Sequence, residues 1–256
     1  MRGFPAGGAL PVNDAGSVMG SPPAPKKERW LLRSTTLAGL TLAVPSLTYF
    51  GLNEILSEGY PSLPAHMAEF LAASAALFLT ILTFKVYNEK ENIGLDIRSV
   101  FSLKPFGRTA AVLALFLLAD LVLTWTGLKL IYLYYPDTEA PAAIEKLWTS
   151  GGNLFFIAVS TMFIAACEEI MLRGLALNYI MKRAGFLKAL LWTSFLFMIF
   201  HGSRNWISLL LIFSNGALYA LAYRRTGSLA VPCLLHGLHN LILRAVVIMD
   251  LDPWLS

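Results

Sequence analysis

The chain has 256 residues, 56% of them apolar and 14% charged; a typical soluble domain is about 45–50% apolar, Gly included, and about a quarter charged. A mean hydropathy of +0.62 excludes a disordered chain, which needs low hydrophobicity and high charge. It also argues against a soluble domain, because the remaining residues could hardly cover so much hydrocarbon. In a membrane protein the formal charge of +4 reports lipid headgroups and topology rather than nucleic acid.

Residues 1–34 form a separate zone. Gly, Pro, Ala and Ser dominate up to position 25, and Lys26, Lys27, Arg29 and Arg33 follow. We expect a disordered tail and then a basic juxtamembrane stretch. A long polar tail ahead of the first apolar run argues against a cleavable signal peptide.

The rest of the chain divides into apolar runs of membrane-helix length at 35–53, 66–86, 109–128, 153–173, 187–202, 206–223 and 229–249. The fifth run is short. The third either continues through the aromatic stretch 131–135 or leaves those residues at the interface, where Tyr is favoured. The expected fold is all-α: a polytopic membrane bundle of about seven transmembrane helices, eight at the outside. Residues 35–149 make the N-terminal membrane helices. Within them, 88–108 mixes apolar residues with charges of both signs, and reads as an amphipathic segment on the cytosolic surface or as a solvated loop. No repeat of fixed period is present.

Charge placement sets the orientation. With the N-terminus in the cytosol and seven alternating helices, most Lys and Arg fall on the cytosolic side. They are those of the tail, those between Lys85 and Arg108, Arg173 to Lys188, and Arg224 with Arg225. Glu54, Glu58, Asp137, Glu139, Glu145, Asp250 and Asp252 fall outside. This matches the bias of cytosolic loops toward Lys and Arg. The expected location is a bacterial cytoplasmic (inner) membrane, with a cytosolic N-terminus. Cys167 and Cys233 both lie in apolar runs, in no CxxC or Cys/His zinc spacing, and are expected to be core-filling thiols.

An ionisable group inside a membrane helix costs about 2.5–3.5 kcal/mol on insertion scales, and it marks a functional site by default. Such groups concentrate in the last four runs: Glu168, Glu169 and Arg173, then His201, then His236, His239 and Asn240. Glu169 and Arg173 are four apart, on one helix face, in the favoured order for an ion pair. We expect a structural or orienting role for them. Glu168 points roughly 100° away around the helix. It has no evident partner on its own helix, so its partner comes from another helix or from water. That freedom suits a general base. The competing reading is a structural cluster in which Arg173 uses both carboxylates. His236 and Asn240 share a face; His239 joins that face or pairs elsewhere. Asp120 stands apart in the third run, and the sequence names no partner for it. Helical rise allows Glu168, His201, His236 and Asn240 to meet at similar depth if the fourth helix runs on to Lys182. If it stops at Arg173, Glu168 lies much nearer the cytosol.

At these residues the sequence resembles the CPBP family of intramembrane proteases, which includes CAAX-type prenyl-protein endopeptidases and the bacteriocin-processing or self-immunity proteins called Abi. The motif EExxxR matches Glu168, Glu169 and Arg173, followed by Gly174; FxxxH matches Phe197 and His201, with Ser194 also in place; and HxxxN matches His236 and Asn240. The lead-in Thr226-Gly227-Ser228-Leu229 is similar too. The likeness covers about 150–245, so 150–249 is the expected catalytic core. Leu172 and Cys167 depart from common family residues at packing positions.

The resemblance implies peptide-bond hydrolysis by a glutamate-activated water. It implies Glu168 as general base, His201 as the residue that helps hold the water, and His236 with Asn240 as oxyanion donors. The implied partners are a membrane-associated peptide or protein substrate and the lipid bilayer. No cofactor is expected. A zinc protease using the same side chains is disfavoured, because His-Glu-x-x-His is absent and Asn is a poor zinc ligand. Other readings are a non-enzymatic immunity or scaffold protein and a small transporter. The topology is testable by impermeant thiol labelling. A cysteine at Ser17 should react only from the cytosolic side and one at Ser150 only from the outside; the reverse pattern would invert the orientation.

Overall fold

The computed structural model describes residues 29–96, 100–103, 105–135, 153–203 and 205–248. The expected tail up to residue 28 lies outside the described residues, as do 136–152 and 249–256. Every regular element among the described residues is helical, and seven helices follow in chain order. They are α1 (Arg29–Gly59), α2 (Ala65–Lys90), α3 (Phe106–Tyr134), α4, α5 (Phe186–Phe200), α6 (Trp206–Thr226) and α7 (Ala230–Ile248). The fourth, α4, is a continuous rod: α-helical over Leu154–Glu169, π-helical over Ile170–Leu177 and α-helical again over Asn178–Ala184.

Each apolar run of the sequence corresponds to one helix. The differences lie at the ends. α1 starts at Arg29, so Arg29 and Arg33, expected to precede the membrane helix, belong to its first turns. α3 takes the aromatic stretch into the helix as far as Tyr134. α4 passes through Arg173 to Ala184, which leaves Glu168 roughly 20 Å from the basic end of the rod. α2, α3, α4 and α6 are long and apolar enough to cross a membrane. α5, with 15 residues, is shorter than the ~20 needed to span. α7 interrupts its apolar character with His236, His239, Asn240 and Arg244. Leu115, Leu118 and Val122 on α3 and Phe78 on α2 are largely exposed. In water such a surface would be a liability; facing acyl chains it costs nothing. The protein is an integral membrane helix bundle.

α4, α6 and α7 form the centre. α2 packs on α4, α7 on α4, α3 and α6, and α5 on α6, while α1 packs on α2 and on the second half of α4. Short polar contacts tie one end of the bundle. Leu229 N donates to Val100 O at 2.7 Å, Lys182 Nζ donates to Ile93 O, and Arg183 lies 3.9 Å from Glu91. Ile93 and Val100, in the connection between α2 and α3, are buried against this end. The Thr226-Gly227-Ser228 lead-in makes the reversal between α6 and α7. Gly227 takes a left-handed φ of 70°, open to Gly at no steric cost, and Ser228 N donates to Thr226 Oγ1 at 3.3 Å.

The π-helical stretch puts backbone carbonyls out of α-helical register, and each needs a donor. Asn178 supplies one: its amide donates to Arg173 O at 2.7 Å and Gly174 O at 3.0 Å. The same amide reaches the Tyr223 hydroxyl on α6 at 3.0 Å.

Arg173 lies at the centre of the core, with no exposed surface. Its Nη1 donates to Glu169 Oε1 at 2.9 Å and its Nη2 to Gly216 O at 2.7 Å. The guanidinium also lies over the rings of Phe197, 4.9 Å away, and Tyr219, 5.5 Å away. Gly216 is required here. A Cβ would come within 3.1 Å of Phe197, 3.2 Å of the Ser194 backbone and 3.4 Å of Arg173 itself. Removing one member of a buried pair strands the other charge, at a cost of about 3–5 kcal/mol. Arg173→Ala should therefore lower unfolding stability in detergent by about that amount, whereas Arg173→Ala with Glu169→Leu should recover part of the loss. Equal stability of Arg173→Ala and the unaltered chain would remove Arg173 from the centre of the core.

Candidate active site

The two adjacent glutamates occupy different environments, as their angular offset requires. Glu169 points inward, is fully buried and is held by Arg173. Glu168 is 28% exposed and lies 4.0 Å from His201 Nε2 on α5. Arg173 makes its ion pair with Glu169, and Glu168 faces a residue of another helix.

His201 is the residue that ends α5. Its Nδ1 lies 2.8 Å from Phe197 O, one turn back. A carbonyl can only accept, so Nδ1 is the donor in this contact, and in the neutral tautomer it selects, Nε2, toward Glu168, is the acceptor. The FxxxH spacing thereby sets the tautomer through its backbone. Its side chain has a second effect, since the Phe197 ring packs on His201 with centroids 4.4 Å apart. It also meets His236 edge-on at 5.5 Å. One ring therefore touches both histidines of the motifs and the Arg173 guanidinium.

His236, on α7, is buried, and its Nδ1 lies 3.1 Å from Glu169 Oε1. That partner was not legible in the sequence, because the contact joins two helices. Oε1 thus faces both Arg173 and His236, while Oε2 has no partner among the described residues. Asn240, one turn beyond His236, is half-buried. Glu168 and His201, then, stand together, and Glu169, Arg173 and His236 form a contiguous buried set beside them. His239 pairs elsewhere: its Nδ1 contacts Asp120 Oδ2 on α3.

Tyr219 was missed by sequence reasoning. Its ring stacks on His236, with centroids 5.0 Å apart and 22° between planes. The available signal was weak: Gly216 and Tyr219 are three apart on α6, so they share a face. Ser194 is fully buried beside Gly216, and its hydroxyl has no partner among the described residues. Among the described residues, no three His, Cys, Asp or Glu side chains are grouped to hold a metal ion. Cys167 and Cys233 are both buried free thiols.

A small cavity of about 90 Å³ opens beside Glu168, lined by Pro45, Ser46, Tyr49 and Phe50 of α1, Ala76 of α2, and Ile164 and Cys167 of α4. The carboxylate thus borders a mostly apolar space within the bundle.

No curated protein and no solved structure matches the chain. Residues 150–242, a little over a third of the chain, match the family model described as type II CAAX prenyl endopeptidase Rce1-like. That segment runs from the start of α4 into α7, holds all three motifs, and is similar to the type II CAAX prenyl endopeptidases of that family model.

Proposed function

We propose that the protein is a multi-pass intramembrane endopeptidase that cleaves a membrane-associated peptide or protein with a water activated by Glu168. The observation that carries this reading is the Glu168–His201 pair. At 4.0 Å the two groups are too far apart for a direct hydrogen bond and suitably spaced for one water held by both. His201 has its Nδ1 engaged by Phe197 O, so Nε2 accepts one water proton while Glu168 accepts the other. Glu168 removes its proton as the water oxygen attacks the scissile carbonyl carbon. The carbonyl oxygen becomes an oxyanion. Its donors are His236 Nε2–H and the Asn240 amide, worth about 3–4 kcal/mol each in a site closed to bulk water. Donation from His236 requires a proton on Nε2. The Nδ1–Glu169 contact is then satisfied by a second ring proton or by a proton on Glu169. Collapse of the tetrahedral intermediate breaks the C–N bond, and protonated Glu168 returns its proton to the leaving amine.

In this reading Glu169 and Arg173 support the site without touching the substrate. No cofactor takes part, and the cysteines have no chemical role. The work takes place in the bacterial cytoplasmic membrane with the N-terminus in the cytosol, in a core spanning 150–249.

Purified protein in detergent or bicelles should cleave a membrane-partitioned peptide, and Glu168→Gln should lower kcat by about 10²–10⁴-fold, the scale of general-base catalysis. Full activity in Glu168→Gln would sink the mechanism. Chelator treatment should leave the rate unchanged; chelator-sensitive activity with stoichiometric zinc would replace Glu168 by a metal. His236→Ala and Asn240→Ala should each lower kcat by about 10²–10³-fold with little change in KM, because an oxyanion forms only in the transition state. Loss in KM alone would reassign both residues to substrate binding.

A further inference from the structure

Two carboxylate–imidazole pairs stand side by side on α7. Glu169 faces His236 Nδ1, and one turn on Asp120 faces His239 Nδ1. The first pair belongs to the motifs. The second is built from α3, ahead of the segment that matches the family model, and the mechanism above makes no use of it. Asp120 is fully buried. Its Oδ2 meets His239 and lies 3.5 Å from the Tyr219 hydroxyl, while Oδ1 has no partner among the described residues. A buried carboxylate is expensive unless its contacts are good, and this one joins α3, α6 and α7 at the level of His236.

The link to the site runs through Tyr219. At one end its hydroxyl is near Asp120; along its face it stacks on the His236 ring at 5.0 Å. Three restraints therefore act on His236. Glu169 sets the direction of Nδ1, the edge of the contact with Phe197 limits one side, and the face of Tyr219 sets the ring plane. A donor aimed at a transition-state oxygen must hold its direction within about 10–20°. The plane of Tyr219 in turn depends on where its hydroxyl is held, and the residue beside that hydroxyl is Asp120.

We propose that Asp120 is a positioning residue for the reaction: through Tyr219, and with His239 fixed beside it, Asp120 holds the plane of the His236 imidazole. This rests on the reading of His236 as an oxyanion donor. The alternative is that Asp120 only fastens α3 to the bundle. The two differ in whether the effect of Asp120 passes through His236.

A double-mutant cycle on the purified full-length chain separates them. Asp120→Ala, the isosteric Asp120→Asn and Tyr219→Phe are each made alone and together with His236→Ala. Rates are measured on a membrane-partitioned peptide, with enzyme in excess where turnover is slow. We expect Asp120→Ala to lower kcat about tenfold, a loss on the scale of one supporting hydrogen bond, with KM within about twofold. Asp120→Asn, which keeps an acceptor, should recover part of the loss, and Tyr219→Phe should lose about threefold. In the His236→Ala background all three should have no further effect on kcat. Losses of the same factor in both backgrounds, or no loss in either, would overturn the proposal while leaving the protease reading intact. A chain that cleaves but is indifferent to His236→Ala refutes the oxyanion role of His236, and the proposal falls with it. Asp120→Asn and Tyr219→Phe preserve volume, so the cycle can be read even if Asp120→Ala does not fold.

Discussion

One buried cation organises this bundle. The Arg173 guanidinium has no exposed surface, and removing such a group from water costs several kcal/mol that contacts must return. The returns come from different elements: a carboxylate one turn away on α4, a backbone carbonyl on α6, and the faces of an α5 and an α6 ring. Each then constrains something else. Glu169 is committed to Arg173, so the neighbouring carboxylate, roughly 100° around the helix, is left facing outward. Gly216 must lack a side chain to let the guanidinium reach its carbonyl. Phe197 and Tyr219, held over the cation, are the same rings that pack on His201 and His236. The histidines are placed by residues whose positions answer first to the burial of a charge.

The sequence was most informative where a contact lies within one helix. Glu169 and Arg173, four apart, were legible as a pair, and so was the divergence of Glu168 from them. Phe197 and His201 were legible as a motif, four apart on one helix. Each helix was legible because membrane burial demands a long apolar run. The contacts that complete the site join residues far apart in the chain. His236 on Glu169, His239 on Asp120, and Arg173 on the carbonyl of Gly216 have no local pattern. The end of α4 was ambiguous for the same reason. An arginine in an apolar run resembles the end of a membrane span until its partners on other helices are known. The π-helical stretch left only Asn178 as a trace, an amide whose neighbours in the sequence do not reveal that it serves two carbonyls.

The first half of the chain read as generic membrane helices, and in packing terms much of it is. α1 and α2 nonetheless bound the cavity beside Glu168, and α3 contributes Asp120 to the face of α7 that carries His236. The segment matched by the family model therefore does not contain its whole environment. A motif search compares residues close in sequence and misses the packing around them, since a contact can come from any helix with a side chain of the right length.

Phe197 unites these points. Its ring lies between a guanidinium 4.9 Å away and an imidazole 4.4 Å away, while its own carbonyl holds that imidazole's Nδ1. An aliphatic residue would keep the backbone bond but lose the ring face that attracts the cation. A polar residue would offer Arg173 a partner and draw it from Glu169. An aromatic ring covers the charge without competing for it, so the cation stays on the buried glutamate. Glu168 is left facing His201 at 4.0 Å, the arrangement that the proposed general base needs.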